Sequence, residues 1–343
     1  MTARLKKILL AAGIPLGVIA CVAIALAVVN SAPPRPAGSG GDPLFFIDRG
    51  ENLGAIARRL QEQGFIRSAV MLDVISRLKG TQGDIKAGYY RVPAGASTFA
   101  VHRLLTVGSQ KLAKVTIPEG WTARKIANHL EALGICPAAD FLAAIRSPAL
   151  LAKFGITGPT LEGHLFPDTY FVPQPFTGAA MAELMARTFY DTVSSIEPEW
   201  KTLKGSDFRD AVIMASIVER EYRADDEAPL IASVFYNRLK SNIGLESCAT
   251  LEYIITEIQN KAHPEYITLD DEKINSPYNT YKWAGLPPGP ISNPGKIALE
   301  AAFHPAKTGY MYFVLKDAQA GRHFFSRDLN EHNQAKYLYL KKL

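Results

Sequence analysis

The chain predicts an α+β body standing behind a single N-terminal membrane helix, and three observations point there. Residues 8–29 form one long uncharged stretch, and a strand–turn–helix pattern recurs over the next hundred residues. The remainder alternates helical runs with a C-terminal pair of strands.

The uncharged stretch, ILLAAGIPLGVIACVAIALAVV, is long enough to cross a bilayer as a helix. Pro15 and Gly13 would weaken it in water but are tolerated in lipid. Arg4, Lys6 and Lys7 precede it and no charge follows until Arg35, so residues 1–7 are expected in the cytoplasm and the body outside. That describes a single-pass protein of the inner (cytoplasmic) membrane. A cleaved signal peptide using Ala25-Leu26-Ala27, or a lipoprotein signal at Cys21, fits less well. The apolar core is long for the first, and Val22–Val29 is not a polar tether for the second. Residues 30–43, NSAPPRPAGSGGDP, then read as a flexible linker.

Charge narrows the function classes. Of 38 Lys and Arg, four (Arg4, Lys6, Lys7, Arg35) lie before the first acidic residue, which leaves 34 against 33 Asp and Glu. A body so nearly neutral carries no electrostatic footprint for nucleic acid. Cys21, Cys136 and Cys248 lack metal-ligand spacing. Cys136 and Cys248 are expected to be unpaired and buried. The seven histidines are scattered, and neither a metal nor a cofactor is predicted.

The repeat begins as Ile47-x-x-Gly50-x5-Ile56-Ala57-x-x-Leu60-x3-Gly64-Phe65-Ile66 and returns 70 residues later as Ile117-x-x-Gly120-x5-Ile126-Ala127-x-x-Leu130-x3-Gly134-Ile135-Cys136. A partial copy is Val92-x-x-Gly95-x5-Val101-x3-Leu105. Each copy reads as a strand, a glycine turn and a helix with one apolar face. Thr122 and Ser97 are placed to cap two of these helices. Units of this kind resemble a LysM-like module, expected over residues 44–112, which would bind wall glycans; a structural repeat with no ligand is the alternative. Tyr89, Tyr90 and Trp121 suit either sugar stacking or the core.

Residues 137–200 read as helical with proline interruptions, and Leu161–Pro173 as a loop or short strand. Two helices are expected over 207–222 and 226–241, with Asp225 and Asp226 able to cap the second. Residues 272–295, rich in Pro, Gly and Asn, exclude regular helix. Tyr310–Leu315 and His323–Ser326 are expected to pair as strands.

The chemistry centres on Glu219. It follows Ala211–Val218, a run without an ionisable group. If that run is a buried helix, desolvation disfavours the ionised carboxylate and keeps it protonated near neutrality. A protonated carboxylic acid is what cleavage of a glycosidic bond needs. Glu221 lies about 200° around the same helix, so only one of the two can face a cleft. Arg223, four residues on, could pair with Glu219 and lower its pKa; it is expected to turn toward Asp226 or Glu227 instead.

The ordered blocks LEGHLFPDTY (161–170), ASIVEREYR (215–223), ASVFYNRL (232–239), SPYNTYKWAGLPPGPISNPG (276–295), HPAKTGYMYFV (304–314) and HFFSRDLNEHN (323–333) resemble the endolytic murein transglycosylase, or YceG-like, family. With the anchor and the LysM-like region, the likeness covers nearly the whole chain and makes residues 113–343 the transglycosylase domain. It implies a lytic transglycosylase that breaks the bond between N-acetylmuramic acid and N-acetylglucosamine inside nascent glycan strands. The products carry 1,6-anhydro ends, and Glu219 is acid and then base. It further implies peptidoglycan as substrate, an extracytoplasmic catalytic body and contact with peptidoglycan synthases. Asn279 and Tyr281 are expected to touch substrate, or else to hold their turn. Glu162 and Asp168 flank another proline loop and are further binding candidates. Where the family commonly has Gln, Asp and Pro, this chain has Glu246, Cys248 and Ala249. Glu246 is therefore a candidate second carboxylate that would assist or orient substrate, or else a solvated loop residue; with Glu246 or Asp225 as partner, a muramidase that uses water stays open. A non-catalytic wall-binding scaffold is the remaining alternative.

Overall fold

Each copy of the repeat becomes a strand, a left-handed glycine and a capped helix. In the computed structural model, which describes residues 28–30, 32–34, 43–48, 50–107 and 112–339, Gly50, Gly95 and Gly120 have φ of 80°, 89° and 71°. Only glycine takes that conformation without strain, which is why it recurs at the turn. Ser97 and Thr122 cap their helices as expected, accepting from Ala100 N and Lys125 N, and Asn52 does the same for the first copy. The membrane segment over 8–29 lies almost wholly outside the described residues, as do Cys21 and most of the linker over 30–43. Among the described residues no helix is long and apolar enough to cross a membrane.

The chain divides into two compact units. The first comprises the described residues up to Ala113 with Phe171–Gln174. It holds β1 (Leu44–Ile47), α1 (Leu53–Glu62), α2 (Ala69–Lys79), β2 (Gly88–Arg91) and α3 (Thr98–Val107). Strands β1 and β2 pair antiparallel, with Leu44 opposite Arg91 and Ile47 opposite Gly88. The repeated apolar positions Ile47, Ile56, Leu60, Val101 and Leu105 are all buried and form this unit's core with Phe45 and Leu72. Tyr89 and Tyr90 are buried too, so neither is free to stack on a sugar.

The second unit comprises Lys114–Tyr170 and the residues from Pro175 onward. Strand β3 (Leu112–Thr116) leads into α4 (Ala123–Ala132), α5 (Ala138–Ala144) and α6 (Pro148–Lys153). Strand β4 (Thr169–Pro173), paired with β3, precedes α7 (Gly178–Ile196), α8 (Gly205–Val218) and α9 (Ala228–Lys240). Then come α10 (Cys248–Tyr253), α11 (Lys296–Phe303), β5 (Tyr312–Asp317), β6 (Arg322–Ser326) and α12 (Leu329–Tyr339).

Helix α8 is the axis of this unit. Its last eight residues, Ala211–Val218, are all buried, with α9 and α11 packed against it. A helix apolar on every side can only be central, and that surrounds its C-terminal end with low-dielectric material. Val212, Met214, Ile217, Phe235, Leu299 and Ala302 belong to this core. The C-terminal strands pair antiparallel, with Tyr312 opposite Ser326 and a register shift between Leu315 and Asp317.

Three local expectations are corrected. The helix expected over 207–222 ends at Val218, with Glu219 as its C-cap. Asp225 and Asp226 do not cap the next helix; Asp225–Glu227 forms a 3-10 turn, and Asp226 is bound by Arg322 at 2.6 Å. Cys136 and Cys248 are both unpaired, but only Cys136 is buried.

Candidate active site

Ser216 starts the assembly of the site. From the last turn of α8 its hydroxyl donates to Ile213 O and accepts from Ile291 N, while its carbonyl accepts from Ser292 Oγ at 2.9 Å. These bonds dock the loop 291–295 on the helix end. Asn293, fully buried, then gathers two further loops. Its Oδ1 accepts from Gly163 N at 2.8 Å and Leu165 N at 3.0 Å. Its Nδ2 donates to Trp121 O at 3.0 Å and to Glu162 Oε1 at 2.7 Å. Its backbone exchanges a pair of bonds with Gly120 and Trp121.

Glu219 sits against the loops that carry Gly120 and Gly295. Its Oε2 accepts from Gly295 N at 2.9 Å. Gly120 approaches so closely that a Cβ there would stand 3.5 Å from Glu219 Cγ and 3.4 Å from Arg220 Cδ. Among the described residues Oε1 has no hydrogen-bond partner. Burial pushes the carboxyl up to about 8; the Gly295 bond and the Arg220 charge oppose that rise, and the Glu119 charge adds to it. Arg220 is itself drawn to Glu252 at 2.6 Å, which leaves less of its charge for Glu219. Arg223 does not turn toward Asp226 or Glu227, which are held by Arg322 and His323; its stem lies against Gly321.

Burial raises two other carboxyls comparably, Glu162 to about 8 and Glu221 to about 7. Both are engaged by neighbours in the fold. Both oxygens of Glu162 accept from Ala123 N, and Oε1 also accepts from Asn293. Glu221 is held by Ser247 Oγ across the fold. Glu162 thus has both oxygens bonded, whereas Glu219 and Glu221 are each held through one; Glu219 is the one that directly ends the apolar run of α8, against the loops of Gly120 and Gly295.

The remaining sequence candidates scatter. Glu246 pairs with Arg238 at 2.9 Å, and the charges acting on Glu219 come from Glu119 and Arg220 instead. Asn279 is fully buried and closes its own turn: Nδ2 donates to Glu272 O and Ile274 O, and Oδ1 accepts from Tyr281 N at 3.0 Å. Those bonds are the turn-holding alternative. The Tyr281 hydroxyl meets Cys248 Sγ at 3.0 Å. Asp168 is exposed and accepts from Thr169 N. Trp121 sets its ring edge-on to His129 at 5.2 Å. A cavity of about 960 Å³ has Glu162, Tyr253, Tyr278 and Arg209 in its wall, but not Glu219. Among the described residues, no group of three or more His, Cys, Asp or Glu could hold a metal.

Sequence reasoning missed Glu119, whose carboxylate lies beside Gly295 on the edge of the site. A signal for it was present in the repeat. The residue before the turn glycine is Arg49 in the first copy, Ala94 in the partial one and Glu119 in the copy that adjoins Glu219.

The model of the YceG-like family matches residues 45–337. The chain belongs to that family. As a YceG-like protein it is 32% identical over 310 residues to an endolytic murein transglycosylase of Bacillus subtilis, covering 86% of this chain and 84% of that one. A protein of the same name from Streptococcus pneumoniae is 29% identical over 336 residues, which span 90% of this chain and 60% of that longer one. The crystal structure of a yceG-like protein from Listeria monocytogenes superposes with a TM-score of 0.57 at 30% identity, over 85% of this chain and 98% of that one. The likeness to solved YceG-like architecture therefore extends through most of the chain.

Proposed function

We propose that this chain is an endolytic murein transglycosylase in which Glu219 is the general acid and then the general base. The observation that carries the reading is the Glu219 carboxyl at the end of a buried helix, one oxygen held by Gly295 N and its pKa pushed up by burial. Names of the relatives from Bacillus subtilis and Streptococcus pneumoniae point the same way.

The chemistry follows from one carboxyl. Glu219 gives its proton to the glycosidic oxygen as the bond from C1 of N-acetylmuramic acid breaks. The carboxylate left behind takes the proton from the muramyl 6-hydroxyl as that oxygen closes on C1. The product is a 1,6-anhydro ring and Glu219 is protonated again. Because the nucleophile belongs to the sugar, no second carboxylate is needed to activate water, unlike a hydrolase. Glu246, held by Arg238, has no part in the scheme.

The catalytic body is extracytoplasmic in this reading, held by the segment 8–29, and residues 44–112 are a LysM-like module that retains glycan. The strand–helix–helix–strand order from Leu44 to Arg91 supports a small self-contained module there. Mass spectrometry of digested glycan strands tests the reaction. Anhydro ends made by the wild type and lost in Glu219→Gln support it, whereas reducing ends would make the protein a muramidase.

A further inference from the structure

Gly295 separates two carboxylates. Its N–H donates to Glu219 Oε2 at 2.9 Å, while a Cβ on the same residue would fall 1.9 Å from Glu119 Oε1. With ordinary backbone bond lengths these contacts hold the two carboxylates no more than about 8 Å apart. Glu119 is fixed there because the next residue, Gly120, bonds through its N–H to Asn293 O and packs on the Glu219 stem. The environments differ: Glu219 is largely enclosed, whereas Glu119 is exposed.

We propose that Glu119 is a positioning residue for the acid, an ionised neighbour that keeps the proton on Glu219 until the glycosidic oxygen takes it. The inference rests on the reading of Glu219 as the acid. Two carboxyls in unequal surroundings ionise in turn, the exposed one first, and the charge of the first disfavours ionisation of the second. Burial and the Asp225 charge raise Glu119 as well, so the pair titrates as a unit with the enclosed member last. The other groups facing Glu219 come from its own segment: Arg220, engaged by Glu252, and Tyr222, whose hydroxyl is pushed upward by burial and by Glu219, Glu119 and Asp225. Loop 291–295 contributes only the Gly295 N–H. Glycine at 295 is not required by its own backbone, whose φ of −79° and ψ of −178° suit any residue. The absent side chain leaves room for Glu119.

Two variants separate this role from a structural one. Glu119→Gln removes the charge, and Gly295→Ala keeps the N–H to Glu219 while occupying the place of Glu119 Oε1. In turnover of the full chain on glycan strands, measured from pH 5.5 to 9, the loss in both variants should grow with pH and be smallest at the acid end. The alkaline limb, where the acid loses its proton, should move down by roughly half to one pH unit, cutting turnover near pH 8 by about two- to sixfold. Glu119→Asp should restore part of the shift. A profile superposable on the wild type, or one lowered by the same factor at every pH, overturns the proposal. So does complete loss in Glu119→Gln with melting temperature unchanged, which would make Glu119 a reacting group. Glu219→Gln, run beside them, separates the two levels: if it stays active, the acid assignment itself falls.

Discussion

Asn293 Nδ2 donates to Glu162 Oε1 at 2.7 Å, and with its other bonds this one buried amide joins the loops 118–122, 161–165 and 291–295, of which the first and last touch Glu219. With Gly163 N, Leu165 N and Trp121 O also satisfied by the same side chain, the amide uses both lone pairs and both hydrogens. Asn293→Ala leaves buried donors and an acceptor unpaired and should cost on the order of 3 kcal/mol or more. Asn293→Asp keeps the shape but cannot donate, and it should also fail to restore stability. Urea denaturation of both variants checks this; a loss below about 1 kcal/mol would show that the loops hold together without the amide.

Replacement of Glu219 by Gln should divide activity from stability. Turnover should fall by about 10²- to 10⁴-fold, the usual worth of a proton transfer in the transition state. Stability should move the other way. The folded carboxyl holds its proton up to about 8, whereas the unfolded one releases it in the ordinary carboxyl range, so Glu219 destabilises the fold increasingly as pH rises through that window. The Gln variant should therefore melt higher than the wild type at pH 8 and differ little at pH 4. The gain should be on the order of 2–4 kcal/mol at most. Thermal melts at the two pH values measure it, and a variant equally or less stable at pH 8 would contradict the burial of that carboxyl.

Glu246 should prove dispensable for turnover. It has a left-handed φ of 51° and pairs from an exposed position with Arg238, whose guanidinium also donates to Gly244 O and Met311 O. Asn tolerates that conformation better than Glu. Glu246→Asn should keep activity within about twofold and change stability by less than about 1 kcal/mol. A tenfold drop in turnover with the fold intact would bring Glu246 into the reaction.

Gly163 should tolerate no side chain. Its φ is 85°, and a Cβ would lie 2.4 Å from two ring carbons of Pro290. Gly163→Ala combines backbone strain with displacement of the loop that positions Asn293, and should cost roughly 2–4 kcal/mol. A melting temperature within a degree or two of wild type would show that Pro290 yields freely.

The sequence by itself determined the elements. Apolar spacing and turn glycines revealed every copy of the repeat, because a left-handed turn admits little else and an amphipathic helix must bury its periodic face. The uncharged run before Glu219 was enough to foresee a desolvated carboxyl. Tertiary structure alone decided which polar residues share its surroundings. Asn279 looked like a sugar contact and holds a turn, Glu162 looked like a binding group and serves as an acceptor for Ala123 and Asn293, and Glu246 turned to Arg238. Glu119 stands 100 residues before Glu219 and yet meets it across Gly295. Burial patterns repeat along the chain and can be read there. The pairing of one buried donor with one acceptor depends on how loops far apart in sequence come to lie together, and local periodicity does not encode it.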